Sequence, residues 1–114
     1  MHEVSIALDL LDIVTKQCRE SGYSKIDSVN LRIGRASGIM PDALVFSFDA
    51  IKKDSVAEDA ALKIEEVPVS GICSECNEKF TVDEEYVLSC PLCKSVSFKI
   101  TAGREMDIID MEVS

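Results

Sequence analysis

The opening tripeptide Met1-His2-Glu3 places the only histidine of the chain next to a free amino terminus. An α-amine, an imidazole and the first backbone amides are close enough here to chelate one metal ion. Imidazole nitrogen suits nickel, copper and zinc, and a square-planar set of nitrogen ligands favours Ni(II) or Cu(II). The tripeptide therefore predicts an exposed site that exchanges its metal readily. A terminal imidazole without any function is the alternative that this one residue leaves open.

The predicted helix that follows at once makes this site more favourable. The first backbone N–H groups of a helix have no partner inside it, so the amides of His2 and Glu3 can bind a metal without breaking a helical hydrogen bond. A cation is normally disfavoured at the positive end of a helix. Deprotonated amides bring negative charge that removes this objection, and Glu3 adds more.

Four of the five cysteines form two C-x2-C pairs, Cys73/Cys76 and Cys90/Cys93, with 13 residues between the pairs. Both thiolates of such a pair can converge on one ion, and two pairs complete the tetrahedral sulfur set of a structural zinc site. Four thiolates leave no position for water, which argues against a catalytic zinc. A redox dithiol is the competing interpretation, but no thioredoxin-like βαβ pattern leads into the pairs. Cys18, the fifth cysteine, is expected in the core.

Five elements are predicted outside the cysteine-bearing segment from the spacing of apolar residues. In order they are a helix from about Glu3 to Glu20 that ends at Gly22, a strand from Val29 to Ile33, a second helix beginning at Pro41, a strand from Ala61 to Val67, and a strand from Met106 to Val113. The apolar stripe expected to face the core on the first helix consists of Val4, Ala7, Leu8, Leu11, Val14 and Cys18, and it is widened by Ile6, Leu10 and Ile13.

These elements predict an α+β fold with two helices on one face of a small three-stranded mixed sheet. The first two strands are joined through a helix, which favours a parallel pair with a right-handed crossover. We expect one domain from residues 1–69 and 103–114, and an inserted four-cysteine zinc-ribbon domain at 70–102. Inside the insert, Phe80–Val82 and Tyr86–Leu88 are expected to form a hairpin.

Composition excludes several classes of function. The net charge of −9, from 12 basic and 21 acidic residues, argues against binding to nucleic acid, whose partners are normally basic. No apolar run approaches the roughly 20 residues that span a bilayer, and no secretory signal is recognisable, so a cytoplasmic location is expected. A single histidine at the terminus disfavours a Ser–His–Asp site, and the loop from Gly34 to Gly38 lacks the lysine of a phosphate-binding motif.

Taken together, these features resemble the HypA/HybF family of hydrogenase maturation factors over essentially the full length. The resemblance rests on Met1-His2-Glu3 running into a helix, the two cysteine pairs, the strand Ile64–Val69 before them, and the acidic, apolar last strand. It implies a nickel metallochaperone, with Met1, His2 and Glu3 as the nickel residues and the four cysteines holding a structural Zn(II). Some relatives carry an additional histidine beside a cysteine pair, which this chain lacks.

The implied partners are a HypB-type nickel GTPase, the large subunit of [NiFe]-hydrogenase and, in some bacteria, urease accessory proteins, with no membrane or nucleic acid. Whether the chain is a monomer or a weak dimer stays open. The function predicted is that of a nickel carrier and not of an enzyme. One alternative is a zinc-ribbon adaptor for protein partners, which would not bind nickel and would not depend on His2. Another is a zinc-dependent enzyme, which would need an open coordination position.

Overall fold

The computed structural model describes residues 2–114, so Met1 of the predicted nickel set lies outside the described residues. The elements, in order, are α1 (His2–Glu20), β1 (Ile26–Gly34), α2 (Pro41–Ile51), β2 (Ala61–Val67), β3 (Val69–Cys73), β4 (Lys79–Val82), β5 (Phe98–Ala102) and β6 (Met106–Val113). They belong to two compact units. Unit 1 contains the described residues up to Leu31, Ile39–Glu65 and Asp107–Ser114, and unit 2 contains Arg32–Gly38 and Glu66–Met106.

Helix α1 buries one line of side chains, which is narrower than the predicted stripe. The buried apolar residues are Ala7, Leu10, Val14 and Cys18, which follow one another at three- and four-residue steps along one face. Val4 and Leu8 were predicted to face the core but are 41% and 51% exposed. The apolar pattern of α1 is wider than its buried face, so the margin of the pattern stays in solvent.

Helix α2 begins at Pro41, as the sequence predicts, because proline suits the first turn of a helix, where its missing N–H is not needed. Leu44 and Phe48 are fully buried and pack in the core of unit 1, where α2 contacts α1. Phe46 lies on the other side of the helix and is 77% exposed. Helix α2 therefore packs through one face and leaves Phe46 in solvent.

The first sheet has the strand order β2-β1-β6 and is mixed, as predicted. The end of β1 lies beside the end of β2, because the N–H of Arg35 donates to the carbonyl of Val67, which makes these two strands parallel. Lys25, just before β1, and Ser114, just after β6, exchange a pair of backbone hydrogen bonds, which makes β6 antiparallel to β1. The predicted α+β architecture is thus confirmed.

The second sheet lies in unit 2 and has the order β4-β3-β5, with both pairs antiparallel. The predicted hairpin between Phe80–Val82 and Tyr86–Leu88 is wrong in its second strand. β4 pairs instead with β3, through a register that sets Gly71 opposite Phe80, and residues 86–88 form no strand. Tyr86 and Leu88 are 76% and 85% exposed, so they have no layer to pack against. Apolar residues alone therefore do not define a strand in this segment.

Two glycines of unit 2 touch through their backbones. A Cβ on Gly34 would lie 2.1 Å from the carbonyl carbon and oxygen of Gly103, so no side chain fits at this position. The N–H of Ala36 donates to the same carbonyl oxygen at 2.7 Å, which fixes the approach.

None of the helices within residues 2–114 is long and apolar enough to cross a membrane.

Candidate metal centres

The two C-x2-C pairs adopt the same local turn. The first pair occupies the connection between β3 and β4, and the second lies in the loop that precedes β5. In each turn the residue after the second cysteine, Asn77 or Lys94, donates its N–H to the carbonyl of the first cysteine, at 3.1 and 2.9 Å. Both residues have positive φ, 58° and 67°. Such a backbone is uncommon outside glycine, so its occurrence at equivalent places indicates one shared geometry.

Backbone N–H groups point at the sulfur atoms inside these turns. The N–H groups of Glu75 and Cys76 lie 3.4 and 3.5 Å from the Sγ of Cys73. In the second turn the N–H of Leu92 lies 3.4 Å from the Sγ of Cys90. Donors aimed at sulfur stabilise the thiolate, which is the form that binds a metal. Each turn is therefore organised for anionic sulfur.

The four sulfur atoms converge on one point, since all lie within 4.8 Å of one another. The Sγ atoms of Cys73 and Cys93 are 3.5 Å apart, and those of Cys76 and Cys90 are 3.8 Å apart. A tetrahedral zinc with Zn–S bonds of about 2.3 Å requires S–S separations of about 3.8 Å. The arrangement fits a four-coordinate zinc ion, as the spacing of the pairs predicts. Cys18, fully buried on α1, is not part of this group and belongs to the core as predicted.

The ionisation of the cluster agrees with its geometry. The N–H of Cys76, followed by the N–H of Glu75 and the neighbouring thiols, lowers the pKa of Cys73 to about 7 in spite of burial. The N–H of Glu78 lowers the pKa of Cys76, but burial and hydrogen bonds with the three other sulfurs outweigh it and raise that pKa to about 12. The surroundings of the cluster therefore favour a thiolate at Cys73 and oppose a second one at Cys76.

Very little apolar material surrounds the cluster. The buried residues of unit 2 around it are Cys73, Phe80 and Cys90, joined by the partly buried Cys76, Val82, Val87 and Phe98. The rings of Phe80 and Phe98 meet edge to face with their centroids 5.9 Å apart. Two of the three buried residues are thus themselves cysteines of the cluster. The cysteines of the cluster thus form part of the buried core of unit 2.

The N-terminal residues form a second, smaller constellation in unit 1. The imidazole Nδ1 of His2 lies 3.7 Å from Oε1 of Glu3, and the His2 side chain is 59% exposed. Glu3 is buried, at 7% exposure, which is unusual for a carboxylate near a chain end. The structure thus places two of the predicted nickel residues side by side, one open to solvent and one held in the protein.

The reason for the burial of Glu3 lies at the start of α2. Oε2 of Glu3 accepts a hydrogen bond from the main-chain N–H of Met40 at 3.1 Å. This hydrogen bond, then the N–H of Glu3 itself, and also the nearby His2, hold the pKa of the Glu3 carboxyl below its usual range against the effect of burial. Met40 was not predicted from the sequence. Its contribution comes from the backbone, 37 residues away, and no side-chain pattern signals it.

Comparison with known proteins shows a family to which the whole chain is similar. A family model described as "Hydrogenase/urease nickel incorporation, metallochaperone, hypA" matches residues 1–113. A hydrogenase maturation factor HypA of Pelodictyon phaeoclathratiforme is 40% identical over 113 residues, which cover 99% of this chain and 96% of the relative. Another from Chloroflexus aurantiacus is 38% identical over 112 residues, or 98% of each chain. The solution structure of the Ni metallochaperone HypA from Helicobacter pylori is 28% identical, with a TM-score of 0.68 over 99% of this chain and 97% of that one.

Proposed function

Because the chain belongs to the HypA family of metallochaperones for nickel incorporation into hydrogenase and urease, we propose that it binds Ni(II) at its N-terminus and hands the ion on during maturation of a [NiFe]-hydrogenase. In organisms that produce urease, that enzyme is a second acceptor of the nickel. The protein acts as a carrier and not as a catalyst. It works in the cytoplasm, without nucleic acid or membrane.

The ligands of the carried ion are the α-amine of Met1, the imidazole of His2, the amides of His2 and Glu3, and the carboxylate of Glu3. The observation that supports this set is the pairing of His2 Nδ1 with Glu3 Oε1 at 3.7 Å, because one ion can lie within reach of both atoms. The two amides lie in the first turn of α1, where no helical acceptor competes for them. A nitrogen-rich planar set selects Ni(II) over Zn(II).

Delivery requires that the ion can leave. His2 is more than half exposed, so an acceptor can approach the metal and exchange ligands with it one at a time. We propose a HypB-type GTPase and the large subunit of the hydrogenase as the proteins that exchange nickel here, with urease accessory proteins in hosts that have them. The net charge of −9 favours the approach of a cation to the whole surface.

The zinc ion has a different task. We propose that Cys73, Cys76, Cys90 and Cys93 hold one permanent Zn(II) that folds unit 2, since a closed sulfur set leaves no position for substrate or water. Separate ligand chemistries keep the two metals apart. Sulfur retains zinc in unit 2, whereas nitrogen at the tip of α1 takes the transient nickel.

Substitution of His2 tests this function. Titration of zinc-loaded, untagged protein with Ni(II) should show one exchangeable nickel per chain in the wild type and none of comparable affinity in His2→Ala. Zinc content and helicity should be the same in both, because His2 is exposed at a helix end. Glu20→Ala, at the exposed opposite end of α1, serves as the matched control and should bind nickel like the wild type. Undiminished nickel binding in His2→Ala would refute the site, and a wild type indifferent to nickel would leave a zinc-ribbon adaptor.

A further inference from the structure

We propose that the main-chain N–H of Met40 is a positioning group of the nickel site, which holds one oxygen of Glu3 so that the other faces the imidazole of His2. This inference rests on the proposed function. Met40 lies just before α2 and contributes no ligand to the predicted nickel set. Its backbone N–H acts on metal binding only by orienting Glu3.

The two oxygens of Glu3 have different surroundings. Oε2 accepts the Met40 N–H at 3.1 Å, whereas Oε1 lies 3.7 Å from Nδ1 of His2. The side chain is almost entirely buried, so it has few other positions to adopt. An ion that recruits Oε1 therefore leaves the bond to Met40 intact, and the carboxylate serves the fold and the metal at once.

The Met40 amide is available because of the local sequence. Met40 is the N-cap of α2, with φ −90° and ψ 110°, and its carbonyl accepts the N–H of Leu44 at 3.0 Å. The following Pro41 favours this extended conformation. In a capping box a Glu or Gln at the third helical position binds the N-cap N–H, but that position here is Ala43. Glu3 supplies from another helix the acceptor that α2 lacks.

Outer groups that orient metal ligands have measurable effects on affinity. Loss of such a partner commonly weakens metal binding by about 10–100-fold, because the ligand must then be ordered when the metal arrives. Without the Met40 N–H, the Glu3 carboxylate would still be present but no longer directed toward His2. We therefore expect weaker nickel binding with no change in the ligand set.

Met40→Pro removes this donor, and Met40→Ala is the matched control that shortens the side chain but keeps the N–H. Proline is compatible with the φ of −90°, which lies near its preferred range of about −65 ± 15°. In zinc-loaded full-length protein, we expect nickel affinity to fall about tenfold or more in Met40→Pro and to stay near the wild-type value in Met40→Ala. A purely structural loss would change helicity and zinc content, which are measured in parallel.

The Glu3→Ala background shows whether Met40 acts through Glu3. There the same Met40→Pro change should alter nickel affinity by less than about twofold, because the carboxylate that the amide orients is gone. Equal nickel affinity of Met40→Pro and Met40→Ala, or an undiminished effect in Glu3→Ala, would overturn the inference while leaving the His2 result and the proposed function intact. A wild type that binds no nickel would instead overturn both.

Hydrogen exchange of the Met40 amide provides a measurement that does not depend on a proline variant. The amide should be protected in the wild type and exchange faster in Glu3→Ala. Because the bond is compatible with a bound metal, the protection should persist when Ni(II) is added. Loss of protection on nickel loading would mean that Glu3 leaves Met40 to bind the ion, and the inference would be wrong.

Discussion

Cys73 and Cys93, one from each C-x2-C pair, bring their sulfur atoms to 3.5 Å from each other across 20 residues of sequence. The contact ties the β3–β4 turn to the loop before β5, although β4 lies between them in the sequence. Because two of the three buried residues around the cluster are cysteines, we expect a bound metal to supply much of the folding free energy of this part of unit 2.

The first prediction concerns this dependence on metal. Cys73→Ser should reduce the zinc content from about one ion per chain to near zero and unfold unit 2, because a small metal domain gains most of its folding free energy from the ion. Elemental analysis and amide resonances of residues 69–102 provide the measurement. Cys18→Ala is the control, since Cys18 is buried in unit 1 and should leave the zinc content unchanged. Full zinc occupancy in Cys73→Ser would contradict the prediction.

The second prediction compares two phenylalanines on α2. Phe48 is fully buried and Phe46 is 77% exposed, only two residues away. Phe48→Ala should lower the free energy of unfolding by about 3–5 kcal/mol, because it removes a large core side chain and leaves a cavity. Phe46→Ala should change it by no more than about 0.5 kcal/mol. Urea denaturation of the zinc-loaded protein measures both, and similar losses in the two variants would show that α2 packs differently.

The third prediction tests the close approach of Gly34 to Gly103. Gly34→Ala should destabilise the protein by about 3 kcal/mol, because the new Cβ would meet rigid backbone at 2.1 Å. Gly38→Ala is the matched change. Gly38 has φ +82° but no atom within 4 Å of a new Cβ, so only backbone strain of about 1–2 kcal/mol applies. Thermal unfolding compares them, and an equal cost would mean that the two backbones do not touch.

The fourth prediction concerns the terminal amine. A Gly-Ser extension before Met1 moves the amine away from His2 and should weaken Ni(II) binding by at least about 10–100-fold, since a lost ligand costs no less than a lost outer partner. The same two residues added after Ser114 should have no effect. Calorimetric titration measures the Ni(II) affinity of the two extended proteins, and their zinc content is measured in parallel. Equal affinities would exclude the amine as a ligand.

Local spacing made the four-cysteine site predictable from the sequence. Both ligands of a pair lie three residues apart, so their convergence depends on one short turn and not on the fold. The same holds for α2, whose first turn is set by Pro41, and for the end of α1 near Gly22, which has a positive φ of 83°. Features governed by the neighbouring few residues were predicted correctly.

Features that depend on distant packing were not predicted correctly from the sequence. Apolar periodicity places both Leu8 and Leu10 in the stripe of α1, but it could not tell that Leu8 would lie in solvent, because the choice depends on what covers the helix. The segment Tyr86–Leu88 has strand-forming residues but no strand to pair with, because β4, its predicted partner, pairs with β3 instead. The link from Glu3 to Met40 uses a backbone N–H, which every non-proline residue has, so no residue type could reveal it.

The register of β3 and β5 has a consequence for how this architecture could arise. Ser70 and Ala102 are partners across the two strands, so the chain enters and leaves the four-cysteine segment at adjacent points. A segment with neighbouring ends can be gained or lost through a single genetic insertion, without rethreading the polypeptide that receives it. The segment between Ser70 and Ala102 could therefore change in length while the two strands that carry it keep their pairing.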